Sequence, residues 1–164
     1  MQRDFIKELG YKALDNRFKR ISDRMSHDTR RFFKRLDLDI EPSWHLVFKL
    51  LKENQPMTMV DIAGQLGYTH PSMVVLLQKM KTRGYINSEK DSLDSRKQNL
   101  SLTQKAMDLL PELEQIWTCC EQAIYSMLEG DFSITEQLDK IEESLDSVSI
   151  DQRFYNEFQK HKKS

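Results

Sequence analysis

No apolar run in this sequence approaches the roughly 18 residues that a membrane-spanning helix needs, so no segment reads as crossing a membrane. Glycine and proline are scarce, at five and four in 164 residues, too few for the frequent turns of a many-stranded β fold. Cysteine is scarcer still. The two present, Cys119 and Cys120, are adjacent, which suits neither a disulfide between them nor zinc-ligand spacing, and a reducing cytoplasm is the expected setting. The four histidines, His27, His45, His70 and His161, lie far apart, so no metal site is expected. With no phosphate-cradling glycine loop and no nucleophile motif, neither catalysis nor a cofactor is expected. The N-terminus, Met1-Gln2-Arg3-Asp4-Phe5, lacks the apolar stretch of a signal peptide.

Charge is plentiful and unevenly placed. The net charge is −1, yet residues 1–36 carry eleven Lys/Arg against five Asp/Glu and residues 57–105 carry seven against four. Residues 106–150 carry a single cation, Lys140, against eleven acids. A local basic surface, not the sum, is what meets phosphates.

Helical periodicity dominates. Tyr11, Leu14, Phe18, Ile21 and Met25 step by three and four, predicting a helix with a buried stripe. Phe32, Phe33, Leu36, Leu38 and Ile40 follow, and Pro42 suits the first turn of a new helix that turns Trp44, Val47, Phe48 and Leu51 inward. Thr58-Met59-Val60-Asp61 resembles a capping box opening a short helix with Ile62, Ala63 and Leu66 on one face. Gly67 is placed to end it, and Thr69 with Pro71 opens a longer helix whose inner face is Met73, Leu76, Leu77 and Met80. Gly84 stops that helix. A short helix, a glycine turn and a longer helix make a helix-turn-helix.

Tyr85–Glu89 and Gln98–Leu102 then read as two short strands, and the polar stretch Lys90 to Lys97 between them as the tip of a wing. Thr103 can cap a long helix through Met107, Leu110, Leu113, Trp117, Cys120, Ile124 and Leu128, with a kink or broken turn expected at Pro111. Its cysteine-bearing face is expected to be buried, making the thiols structural. Ser133-Ile134-Thr135-Glu136 and Ser149-Ile150-Asp151-Gln152 look like capping boxes for two further helices, the first with an apolar repeat Ile134, Leu138, Ile141, Leu145, Val148 and the second carrying Phe154, Tyr155 and Phe158.

In order and in register, several segments resemble the MarR family of winged helix-turn-helix transcription regulators. Asp61-Ile62-Ala63-Gly64-Gln65-Leu66-Gly67 is similar to its "D/E-LA-x-x-LG" stretch. Leu76 to Ile86 is similar to its "LLxxLExRGLV" recognition-helix end. Asp94-Ser95-Arg96 with Leu100-Ser101-Leu102-Thr103 resembles the wing signature "D-x-R … L-x-LT", and Ile40 to Trp44 the "LTPxQW" helix entry. The chain departs at Ala106, where the family usually has Gly, and at Val74 and Val75, where Ser/Thr and Arg are common.

The resemblance implies a mainly α fold with a small β-hairpin wing. Its winged helix-turn-helix lobe would span residues 41–105, with dimerisation helices at 1–40 and 106–164. It implies a homodimer that binds a pseudo-palindromic DNA operator and is modulated by a small aromatic effector. Arg96 at the wing tip, braced by Asp94, would enter a minor groove. His70, Ser72, Gln78 and Lys79 would face bases or phosphates, with Lys81, Arg83, Lys90 and Lys97 nearby. Thr58 and Thr69, at helix N-termini, would cap and hold phosphates. Val74 and Val75, exposed if the inner face is as assigned, suit thymine methyl groups. Tyr11, Phe18, Trp44, His45 and Trp117 are candidates for an effector pocket, with ordinary core as the plainer reading. An alternative is a winged-helix interaction or ligand-binding module that has lost specific DNA binding.

Overall fold

The structure, a computed structural model, describes residues 3–91 and 97–163. The chain divides after Leu110 into two compact units. The first begins with a short helix α1 (Phe5–Glu8) and a 3₁₀ turn (Gly10–Ala13), followed by α2 (Leu14–Arg35). Then come α3 (Trp44–Asn54), β1 (Met57–Thr58), α4 (Met59–Leu66), α5 (His70–Thr82), β2 (Ile86–Lys90) and β3 (Gln98–Leu102). Helix α6 (Gln104–Met127) starts in this unit and continues into the second, which holds α7 (Ser133–Ser147) and α8 (Ile150–Lys163).

The three strands form one antiparallel sheet in the order β1-β3-β2. Ile86 stands opposite Leu102, and Met57 opposite Leu100, so Ile86, Leu100, Leu102 and Met57 all turn inward and are buried. Strand β1 was not expected; two residues are too short to show an alternation, and only pairing with β3 makes them a strand.

The core of this unit is aromatic and aliphatic. Trp44, Val47, Phe48 and Leu51 of α3 are fully buried, together with Ile62, Met73 and Met80. Tyr85 joins them, its ring edge-on to Trp44 (5.7 Å) and to Phe48 (5.6 Å), separations at which aromatic pairs attract beyond simple area burial. Cations close the outside: Lys105 Nζ lies 4.2 Å from the centre of the Tyr85 ring, and the Arg83 guanidinium 5.2 Å from that of Trp44.

Helix boundaries follow local chemistry. Gly67 (φ 65°) and Gly84 (φ 75°) end α4 and α5 in the left-handed region that glycine enters without steric cost. Thr103 Oγ1 accepts from Ala106 N (3.2 Å), opening α6 as expected. Helix α3 begins at Trp44 rather than at Pro42, because Pro42 and Ser43 form a turn closed by Trp44 N on Glu41 O (3.0 Å). Helix α6 runs unbroken through Pro111, although a proline there removes one intrahelical hydrogen bond and its ring crowds the carbonyl one turn back; Leu110 and Leu113 on either side are buried. Ser133 is not the cap of α7. The Asp131 carboxylate accepts from Ser133 N (2.8 Å) instead, because the turn before the helix brings that side chain back over the first free amides.

The stripe Tyr11, Leu14, Phe18, Ile21, Met25 is not buried within the chain: Tyr11 is 83% exposed and the others stand near two-fifths to one-half. In the second unit, Arg153 ties α8 to the end of α7, donating from Nε to Val148 O (3.0 Å) and from Nη2 to Ser144 Oγ (3.0 Å). Phe154, Tyr155 and Phe158 remain exposed on α8. Cys119 is exposed and Cys120 partly so, which corrects the expectation of a buried face; the buried face of α6 is set by Leu113 and Trp117, and Cys119 lies off it. Among the described residues no helix is long and apolar enough to cross a membrane.

Phe48 is fully buried and in edge contact with Tyr85. Phe48→Ala therefore removes a ring from a packed site, and a loss of about 3–5 kcal/mol in urea unfolding is expected. A loss under about 1 kcal/mol, with the transition still cooperative, would show that the lobe does not rest on this cluster.

Candidate nucleic-acid interface

Burial fixes the rotation of α5. Met73, Leu76, Leu77 and Met80 are all buried, so at 100° per residue the opposite face consists of Pro71, Val75, Gln78 and Thr82. Val75 is 58% exposed and Val74 42%, as the periodicity required. His70, Ser72, Lys79 and Lys81 lie on the flanks and are exposed.

The two flanks border different clefts. One cleft, of about 590 Å³, runs between α5, the start of α4 and the sheet, and is lined among others by Thr58, Val74, Gln78, Lys81 and Lys97. Five residues selected from the sequence as contact candidates thus meet in one place. Val60, Ser88 and Gln98 also line it; sequence reasoning does not single them out, because they come from a helix start and two strands that only the fold brings together. The other cleft, of about 250 Å³, is lined by Glu41, Ser43, Tyr68, Ser72, Val75, Leu76 and Lys79. Thr82 was also missed, although its spacing of four from Gln78 and seven from Val75 is the signal that marks it.

Several candidates already have partners. Lys79 Nζ is 3.0 Å from Glu41 Oε1, and Arg83 Nη1 is 2.7 Å from Asp39 Oδ1. Arg83 therefore braces α5 against the segment before α3 and does not face the larger cleft. Thr69 Oγ1 accepts from Ser72 N (3.4 Å) and donates to Ser72 Oγ (2.9 Å), so both act in the cap of α5. For Thr58 the capping box is complete: its Oγ1 accepts from Asp61 N (3.2 Å), and its own N donates to Asp61 Oδ2 (3.3 Å). Thr58 Oγ1 also donates to Asp61 Oδ2 (2.6 Å). These bonds to the ionised form hold the Asp61 carboxyl below its ordinary value, with Lys97 adding a smaller attraction. Lys97 is exposed at the foot of β3. Arg96 and Asp94 lie outside the described residues.

The effector candidates differ in burial. Trp44 is fully buried in the lobe core. His45 is half-buried, with Nδ1 2.8 Å from Pro42 O. Tyr11 and Phe18 stand on the exposed stripe, and Trp117 is buried on α6 in the second unit. None of the five lines either cleft. Among the described residues no group of acidic, histidine or cysteine side chains could hold a metal ion.

A recognition helix packed on a helix of its own turn, beside a three-stranded sheet with a hairpin, defines a winged helix-turn-helix protein. Residues 38–97 match the model of the MarR family. Among solved structures, the chain is similar to MepR of S. aureus in complex with DNA (26% identity, TM-score 0.69, covering 80% of this chain and 97% of that one). It also shares its fold with the transcriptional repressor CouR bound to a 23-mer DNA duplex (21%, TM-score 0.68, 86% and 98%). The same holds for a MarR protein from Peptoclostridium difficile (18%, TM-score 0.69, 92% and 98%). A comparison with curated protein sequences found no match. Residues 38–97 thus resemble the MarR family in sequence, and the chain shares the fold of these solved structures.

The Asp61 carboxylate is held below the ordinary value of about 3.9, so its capping contribution is complete above that value and is lost as pH falls through the lowered one. Asp61→Asn is expected to lower the thermal midpoint at neutral pH, and the gap from wild type to close on acidification. A gap that stays constant from pH 7 to pH 2 would show that the charge of Asp61 adds nothing to the cap.

Proposed function

We propose that this chain is a DNA-binding transcription regulator that acts as a homodimer on a pseudo-palindromic operator. The observation that carries the reading is the exposed strip of α5. It holds apolar and amide groups able to meet base edges, and it borders a cleft containing Lys81 and Lys97. Base edges are read in the major groove by side chains of this kind, while cations beside the helix neutralise phosphates. Thr58 and Thr69 stand at the starts of α4 and α5, where free amides favour an anion. His70 and Ser72 flank the same end. Val74 and Val75 suit thymine methyl groups, and burial of one methyl is worth about 0.8 kcal/mol. A minor-groove role for Arg96, with Asp94 as its brace, is proposed from the family resemblance alone, and both lie outside the described residues.

Lys97 and Lys81 are proposed as phosphate contacts. Binding of purified protein to genomic DNA fragments should weaken steeply with salt. Lys97→Ala should reduce the slope of log K against log[salt] by about one unit, equally for all sequences. An unchanged slope would remove Lys97 from the interface. Absence of any sequence preference in wild type would favour the alternative reading of an interaction module.

The dimer rests on exposed apolar surface. Phe5, Leu14, Phe18, Ile21 and Met25 near the N-terminus, and Ile150, Phe154 and Phe158 near the C-terminus, are each more than a third exposed. Rows of this extent mark association surfaces, and a two-fold pair is the commonest way to cover them. Residues 1–40 and 106–164 are proposed as the dimerisation helices and 41–105 as the DNA-binding lobe. Sedimentation at micromolar concentration is expected to give twice the chain mass, and a monomer would overturn the assignment. Regulation by a small aromatic ligand is proposed on Tyr11, Phe18 and His45.

A further inference from the structure

Gln78 stands at the middle of the outward strip of α5, and its carboxamide has a partner on its own helix. Thr82 lies one helical turn on. Its Oγ1 donates to the Gln78 backbone carbonyl at 2.9 Å, so the one hydroxyl hydrogen is used, and towards the Gln78 side chain Thr82 can only accept. The end of the carboxamide that faces it must therefore be the nitrogen, and Gln78 Nε2 lies 3.4 Å from Thr82 Oγ1. One N–H is directed at Thr82. The carbonyl oxygen and the second N–H remain for an external partner.

We propose that Thr82 is a positioning residue that sets Gln78 to read adenine. The inference rests on the DNA-binding reading above and adds the base that the site selects. Adenine presents an acceptor at N7 beside a donor at N6 in the major groove, whereas guanine presents two acceptors, N7 and O6. A carboxamide held with its oxygen and one N–H outward matches the adenine pair. It meets guanine with oxygen facing oxygen. A carboxamide free to rotate offers both N–H groups and accepts guanine as well. Val75, three residues before Gln78 on the same strip, adds a methyl-seeking surface next to this contact. The hydroxyl of Thr82 is thus the element that converts a permissive side chain into a selective one.

The test uses full-length protein and a library of duplexes randomised over about 20 bp, enough for two half-sites about 10 bp apart. Wild type is expected to enrich adenine at one position in each half-site. Replacement of that adenine by 7-deazaadenine should weaken binding about tenfold, within the range of a good bidentate pair. Thr82→Val keeps the shape and removes the hydroxyl; its selected pool should carry adenine and guanine at that position within about threefold of each other. Thr82→Ser keeps the hydroxyl and should retain the wild-type preference. A merely structural role for Thr82 would change affinity for all sequences together and leave the adenine-to-guanine ratio alone. Retained adenine preference in Thr82→Val, in protein with a wild-type circular dichroism spectrum, overturns this assignment and leaves DNA binding standing. Absence of any selected sequence in wild type overturns the DNA-binding reading and this assignment with it.

Discussion

The rotational phase of α5 is the constraint on which the candidate site depends. Four buried side chains, Met73, Leu76, Leu77 and Met80, occupy one side of a helix that has no other apolar residues except its two valines. Turning the helix by one residue, about 100°, would expose part of this set and bury Val74 or Gln78 in its place. The loss would be of the order of 1.5–3 kcal/mol for each large side chain brought into water. The outward strip is therefore fixed by what lies behind it. Each exposed residue of α5 has its direction because the inner face has no alternative.

The ends of α5 are tied down by different means. At the N-terminus Thr69 caps the helix through Ser72 N, and at the C-terminus Gly84 lets the chain turn directly into β2. The cations are divided between the two roles. Arg83 and Lys79 are paired to Asp39 and Glu41, in the segment that leads from α2 into α3. Such partly exposed pairs contribute little to stability, but they orient side chains, and they leave Lys81 and Lys97 as the cations lining the larger cleft. The same segment thus connects the helix with the long exposed apolar stripe to the outward-facing helix of the lobe.

Much of this was legible along the chain because it follows from short-range rules. The capping box at Thr58 and Asp61, the glycine stops at 67 and 84, the inner face of α5 and the strands of the hairpin each depend on residues within a few positions of one another. What was misread depends on distant or competing partners. Strand β1 exists only because β3 lies beside it. Ser133 does not cap α7, because its own amide is taken by the Asp131 carboxylate and Phe132 stands at the cap position. Trp44, for which ordinary core was the plainer reading, is buried against Tyr85, more than forty residues away in sequence. The apolar stripe of α2 was recognised as a stripe, but periodicity cannot say whether the surface that covers it belongs to the same chain.

The sequence by itself determined the class of fold, the helix-turn-helix with its wing, and the face of α5 that turns outward. Those properties come from hydrophobic spacing, capping and turn chemistry, all local. Only the tertiary structure decided which outward residues share a cleft and which cations are already engaged. It also decided that the Gln78 carboxamide is held by Thr82. The reason is physical: a cleft is made of surfaces from α4, α5 and the sheet, and a side chain's freedom depends on the atoms that surround it once those elements have packed.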